Sequence, residues 1–288
     1  MIEDIHTERI TGEMLTGEIA GSSLLVFSVD PQWGNIYFWL GRERKNPKWP
    51  QGSETWSDFG GRPMDEHEDP CHVAAREFLE ETSGMLRYFE HDTLPRMDME
   101  DIAESLRRKE FNFQMTMWTQ LEDRKRLFVT YVKQIPWSPE AAHEFLDAQN
   151  KLFRIKNMIQ CSPNREEVQR MCESYKHPAI QKEESADDGS PPKFHVLKDF
   201  LEKKAIRLWS IPLLRNAIEV QLAKEKNGDL HHHFHQGIDL QRVDRFRSCF
   251  IPMIVSVLRE LPYYEPMATE HPGMLGAATF GGDDEESD

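Results

Sequence analysis

The chain has 288 residues, with 35 Lys+Arg against 50 Asp+Glu and a formal net charge of −15. That balance removes the global basic field that draws proteins onto nucleic acid or anionic membrane, leaving only local patches for such work. A hydrophobic fraction of 39% excludes a disordered chain and can fill one large core, or a core plus a helical appendage. The first residues, MIEDIHTERITGEM, lack the basic start and apolar run of a secretory signal. The most apolar stretch, residues 250–261, is interrupted by Pro252 and Arg259 and is too short to span a bilayer, so no membrane partner is expected. Cysteines at 71, 161, 172 and 249 form no CxxC and predict buried, reduced thiols in a cytoplasmic protein.

Residues 1–17 read as a lead-in with little apolar mass. Strands are expected at 22–28 (SSLLVFS) and 36–40 (IYFWL), joined as a hairpin, followed by a polar loop over 41–57. Asp69 followed by Pro70 is an N-cap and first-turn signal, and Gly84 a natural stop, so a helix is predicted between them. A second helix is expected at 97–109, with strands at 111–119 and 127–134. Ser138-Pro139 and Ser162-Pro163 predict two helices within 138–175. A mobile loop is expected at 176–193, a strand at 206–211 and a helix at 212–223. Residues 240–261 read as helical, kinked or divided at Pro252.

The predicted fold class is α+β, with a mixed sheet and packed helices. The expected division is a lead-in at 1–17, a catalytic domain at 18–225 with a helical insertion and mobile loop at 138–195, a C-terminal helical extension at 226–265 and an acidic tail at 266–288.

On the predicted helix, Glu77, Glu80 and Glu81 stand at i, i+3 and i+4 and share a face. Three like charges there repel, and Arg76 alone cannot neutralise them. Glu-rich faces are commonly just solvated. A hard divalent cation such as Mg²⁺ or Mn²⁺ would also resolve the repulsion through oxygen ligands. Glu68 adds a carboxylate before the helix. Gly60 and Gly61 let backbone approach closely, so a Gly60 carbonyl could join the coordination shell.

The run from Glu68 to Glu81 resembles the Nudix box. Glu68, seven intervening residues, then Arg76-Glu77-Phe78-Leu79-Glu80-Glu81 matches that motif without gaps. Both ends depart from it. The motif's first glycine falls on Arg62, with Gly60 and Gly61 early, and its last falls on Ser83, with Gly84 one residue late. These offsets predict a longer loop before the helix and a helix stop one residue later.

The resemblance implies a Nudix-type α/β/α sandwich and a metal-binding hydrolase. The expected activity is pyrophosphatase cleavage of a nucleotide, a nucleoside diphosphate linked to another moiety. By the same resemblance Glu77, Glu80 and Glu81 would hold Mg²⁺ or Mn²⁺, Arg76 would orient the carboxylates, and Glu68 and Gly61 would support the site. The general base would be Glu81 or a later acid, with Glu202 the candidate ahead of Glu140 and Glu144.

Arg44, Lys48, Trp49 and Trp56 precede the box and could meet phosphate oxygens or stack on a base, or simply pack and solvate a loop. Small phosphorylated substrates such as a nucleotide sugar or ADP-ribose suit the acidic charge. Capped RNA is the alternative, supported by Lys151, Arg154 and Lys156 and by Arg242, Arg245 and Arg247. Histidines 231, 232, 233 and 235 form a further metal candidate. A non-catalytic module of the same fold would be expected to lack a box carboxylate, and here all three are present. The sequence leaves the oligomeric state open.

Overall fold

A computed structural model describes residues 2–6, 18–50, 52–90, 98–121, 124–183, 192–226 and 244–261. The histidines at 231–235, Arg242 and the acidic tail lie outside these residues. In chain order the elements are β1 (Ile2–His6), β2 (Ile19–Val29), β3 (Ile36–Glu43), β4 (Trp56–Ser57), β5 (Phe59–Gly61) and α1 (Pro70–Thr82). Then come α2 (Met99–Arg107), β6 (Phe113–Leu121), β7 (Arg124–Gln134), α3 (Ala141–Cys161), α4 (Arg165–Ser174), β8 (Ile180–Glu183) and β9 (Lys193–Val196). After a 3₁₀ turn at Asp199–Leu201 follow β10 (Lys203–Ser210), α5 (Ile211–Lys226) and α6 (Phe250–Glu260).

The main sheet has eight strands along the order β1-β6-β7-β2-β3-β10, with β4 beside β3 and β5 beside β2. Among the paired strands described, β2 and β7 run parallel and the other pairs antiparallel, so the sheet is mixed. The residues expected as a lead-in include β1, which pairs with β6.

Strand alternation sorts side chains to two faces. On β2, Leu24 and Val26 join one cluster with Ala74, Ala75 and Phe78 of α1 and Ala103 of α2. Leu25 and Phe27 join another, with Leu214 of α5 and Phe250, Ile254 and Val257 of α6. A strand buried on both faces reads as a continuous apolar run, as LLVF does. Helices therefore cover both faces and give three layers.

Four expectations are corrected. Of the helix expected over 240–261, residues 240–243 lie outside the described residues, 244–249 are not helical, and α6 begins at Phe250. Pro252 then lies in its first turn, where a backbone N–H has no intrahelical partner to lose, so no kink is required. The α1 stop is not late: Ser83 itself adopts the left-handed conformation (φ 53°), where the motif has glycine. The polar loop at 41–57 is shorter than expected, since β3 runs to Glu43 and β4 begins at Trp56. The region expected as a mobile loop contains the β8–β9 hairpin, with 184–191 outside the described residues.

The inserted α3 and the C-terminal α6 contribute core. Phe145 and Ala148 of α3 are buried in the α1 cluster, and six residues of α6 are buried against the opposite face.

Candidate active site

Helix α1 carries the acidic face because its other side packs on the sheet. Asp69 caps it, accepting bonds from the Cys71 and His72 amides at 2.8 and 3.1 Å. Its end closes with the Ser83 amide on the Glu80 carbonyl and the Gly84 amide on the Leu79 carbonyl, a Schellman-type arrangement.

Arg76 is the hub of the face. Its Nε donates to Glu68 Oε1 at 2.8 Å, one terminal nitrogen meets Glu77 Oε1 at 2.9 Å and Glu80 Oε2 at 3.1 Å, and the other donates to the Arg62 carbonyl. Burial disfavours the guanidinium charge, but the Glu68 hydrogen bond and the Glu77 and Glu80 charges outweigh it and raise its proton affinity. Glu68 is held from the other side by the Met64 amide.

Glu81 points elsewhere. Its Oε2 accepts from the Gly60 amide at 2.9 Å, and its Oε1 lies 3.0 Å from Lys203 Nζ. Gly60 thus meets the acidic face through its N–H. Lys203 also donates to Glu43 Oε1 at 2.6 Å and Ser57 Oγ at 3.1 Å, and Glu43 pairs in turn with Arg247.

A cavity of about 630 Å³ opens above this network. Its acidic wall is Glu43, Asp58, Glu77, Glu81 and Glu202; its apolar wall includes Met117, Phe128, Phe250 and Met253. Glu80 is not on the wall and stays behind, against Arg76. The glycines make this convergence possible. A Cβ on Gly61 would stand 2.2 Å from Glu77 Oε1, and one on Gly60 would stand 2.2 Å from Ser23 Cβ. Pairing of β5 with β2 sets both glycines beside Ser22 and Ser23.

The acids here resist ionisation. Burial pushes up the Glu77 carboxyl, only partly offset by Arg76. Burial also lifts Glu80 to about 7. For Glu81, burial together with Glu43 and Glu77 outweighs Lys203. Asp58 is raised by burial. Glu202 stays open to solvent at the cavity rim, yet the protein around it and the charges of Glu43, Glu77 and Asp199 raise its carboxyl. Glu43 alone goes the other way, because Lys203 and Arg247 overcome its burial.

Among the described residues no three His, Cys, Asp or Glu side chains form a ready cation cage. The carboxylates are drawn onto Arg76 and Lys203 instead. The donor chemistry still fits Mg²⁺ or Mn²⁺, since the cavity presents several hard carboxylate oxygens that the resident cations leave under-neutralised.

The remaining expected residues separate. Trp49 lines the cavity, 41% exposed, with the Arg247 guanidinium 4.9 Å from its ring centre. Trp56 is core, edge-on to Trp209. Arg44 is committed to structure: it donates to the Leu201 carbonyl and Gln149 Oε1 and lies over Phe153. Lys48 is exposed and not on the wall. Cys161 and Cys249 are exposed, contrary to expectation, while Cys172 is buried.

Sequence reasoning missed Glu43, Lys203, Asp58 and the cavity position of Arg247. The pairing of Lys203 with Glu43 follows from the β3–β10 register, which no local signal announces.

No protein-family model matches the chain, and no curated protein matches it. Among solved structures, a binary complex of a C. elegans Ap4A hydrolase is 13% identical, with a TM-score of 0.24, over 41% of this chain and 67% of that one. A second structure of a C. elegans Ap4A hydrolase is 15% identical, with a TM-score of 0.25, over 41% and 70%. The NUDIX domain of Shewanella oneidensis NrtR complexed with ADP ribose is 12% identical, with a TM-score of 0.25, over 43% and 64%. Likeness of this extent establishes neither family nor activity. No helix among the described residues is long and apolar enough to cross a membrane.

Proposed function

We propose that the chain is a divalent-metal-dependent pyrophosphohydrolase of the Nudix type, cleaving a nucleoside diphosphate linked to another moiety. The observation that carries this reading is the convergence of Glu77, Glu81 and Glu202 on one cavity, with carboxyls raised by burial and mutual repulsion. Under this proposal Glu77 and Glu81 hold Mg²⁺ or Mn²⁺, with Glu80 and Arg76 behind them and Glu202 left free at the rim. The bound ion would supply neutralisation of the carboxylates and withdrawal of charge from the phosphate oxygens.

The rest of the reaction falls to the protein. Arg76 fixes the α1 carboxylates. Glu202 is the better placed base. Both oxygens of Glu81 are engaged by Lys203 and Gly60, whereas Glu202 stands at the open rim with its proton affinity raised by the surrounding protein and by Glu43, Glu77 and Asp199. Glu202 takes a proton from water as the water oxygen bonds to phosphorus. The bridging P–O bond breaks, and the leaving phosphate carries away its electron pair. The apolar residues that share the cavity with the acids suit a flat nucleobase, and Trp49 lines the same cavity.

The test is turnover with Mg²⁺ or Mn²⁺ of a panel containing ADP-ribose, UDP-glucose, diadenosine polyphosphates, diphosphoinositol phosphate and cap-labelled RNA. Hydrolysis of a nucleotide member is expected, with Glu77→Gln and Glu202→Gln each slowing it by roughly 10²-fold or more. Full activity in both variants would remove the site assignment. Preference for the inositol substrate would remove the nucleobase reading, and release of 7-methyl-GDP would identify capped RNA.

A further inference from the structure

Lys203 is 1% exposed at the first position of β10. Its ammonium touches three groups: Glu43 at 2.6 Å, Glu81 at 3.0 Å and Ser57 Oγ at 3.1 Å. A place is built for it. A Cβ on Gly41 would stand 2.9 Å from Lys203 Cδ, so the lysine stem occupies the room left by that glycine. Glu43, its main partner, belongs to β3 and lies outside the acidic helix. Arg247 also pairs with Glu43, giving two fixed cations against two buried acids, Glu43 and Glu81.

This arrangement has a consequence for cation binding at the same carboxylates. An ammonium in contact with Glu81 occupies one of its oxygens and repels any other positive charge brought near. We infer that Lys203 is a resident cation that competes with the divalent metal for Glu81, and that Glu43 sets the strength of this competition by drawing the ammonium away from the helix. Lys203 is therefore a positioning residue acting through Glu81. The inference rests on the metal-dependent reading of the cavity.

The experiment is Mn²⁺ binding to the full chain, followed by the electron paramagnetic resonance signal of free Mn²⁺ and by calorimetry. Removing Lys203 alone leaves buried Glu81 without a cationic contact and Glu43 with Arg247 alone, which destabilises the fold. The principal variant is therefore Lys203→Met with Glu43→Gln, which removes one charge of each sign. It is expected to bind Mn²⁺ roughly tenfold more tightly than the wild type. Glu43→Gln alone leaves the ammonium with Glu81 as its only acidic partner and is expected to bind Mn²⁺ more weakly. A merely structural role for Lys203 would not move the two variants in opposite directions. With circular dichroism showing both folded, unchanged or weaker binding in the double variant overturns the inference. If the double variant fails to fold, Glu43→Gln decides alone, and unchanged or tighter binding overturns it. Absence of Mn²⁺ binding by the wild type at millimolar concentration overturns the metal-dependent reading itself, and this inference with it.

Discussion

Single atoms decide the geometry of the acidic cavity. Gly61 is the clearest case, because the space its missing side chain leaves is occupied by the Glu77 carboxylate. Gly61→Ala places a methyl 2.2 Å from Glu77 Oε1, so the flexible carboxylate must swing away. Positioning errors near 1 Å can lower a rate by roughly 10²-fold. The expected outcome is a loss of that order in turnover, with little change in the urea midpoint because only a side-chain end moves. An Ala variant of full activity would show that Glu77 does not need its present position. Arg76 is the complementary case. Its fork makes hydrogen bonds to Glu68, Glu77, Glu80 and the Arg62 carbonyl, a spread that one lysine ammonium could not reproduce.

At the level of elements, the end of α1 ties the acidic helix to the inserted helices. Ser83 is fully buried in the left-handed region, which ordinarily favours glycine. Its hydroxyl accepts from Gln149 Nε2 at 2.7 Å, and its carbonyl meets the His177 ring at 3.1 Å. The serine thus exchanges backbone ease for contacts to α3 and the segment after α4. Ser83→Gly and Ser83→Ala both remove the hydroxyl, but only Gly relieves the backbone. Ala should be less stable than Gly by about 1 kcal/mol in urea unfolding. Ala should also fall below wild type by about 1–3 kcal/mol, because Gln149 loses a buried partner. Equal stability of the Gly and Ala variants would show that the left-handed position carries no cost here. The same contacts explain why Arg44 does not reach the cavity: its guanidinium bridges Gln149 and the Leu201 and Lys203 carbonyls.

Over the whole molecule, the burial of these acids, with repulsion among several of them, sets how stability depends on pH. Burial raises Glu80 to about 7 and raises Glu77, Glu81, Glu202 and Asp58 in the same direction. A carboxyl with a raised folded pKa holds its proton more tightly when folded. Its stabilising effect is complete below the unfolded value of 4.5 and is lost as pH rises through the folded value, about 7 for Glu80. At about 1.4 kcal/mol per pH unit, Glu80 alone contributes a change of a few kcal/mol. Glu43, Glu54 and Asp69 are lowered and act oppositely, losing stability as pH falls below the ordinary carboxylate range. In EDTA, the urea midpoint should therefore fall between about pH 5 and pH 7.5, and added Mg²⁺ should recover much of the loss at the upper end. A flat or rising midpoint in EDTA would contradict the burial of these acids.

Much of the secondary structure was legible locally. Asp69-Pro70 marked the start of α1, LLVF marked a strand buried on both faces, and the two Ser-Pro pairs preceded α3 and α4 closely. Short-range signals suffice there, because capping and side-chain alternation act over a few residues. The acidic face of α1 was equally readable, since i, i+3 and i+4 positions coincide on any helix. Its partners were not. Glu202 could be proposed from sequence, but its approach to Glu77 depends on where β10 begins. Glu43, Lys203 and Arg247 are separated by 160 and 204 positions from one another along the two ion pairs they form. Only the antiparallel register of β10 on β3 and the packing of the segment before α6 bring them together. Thus the residues themselves determined a helix with more negative charge than Arg76 could balance. The tertiary structure decided which distant cations answer that charge, because burial makes ion pairing depend on the fold's contacts and not on chain proximity.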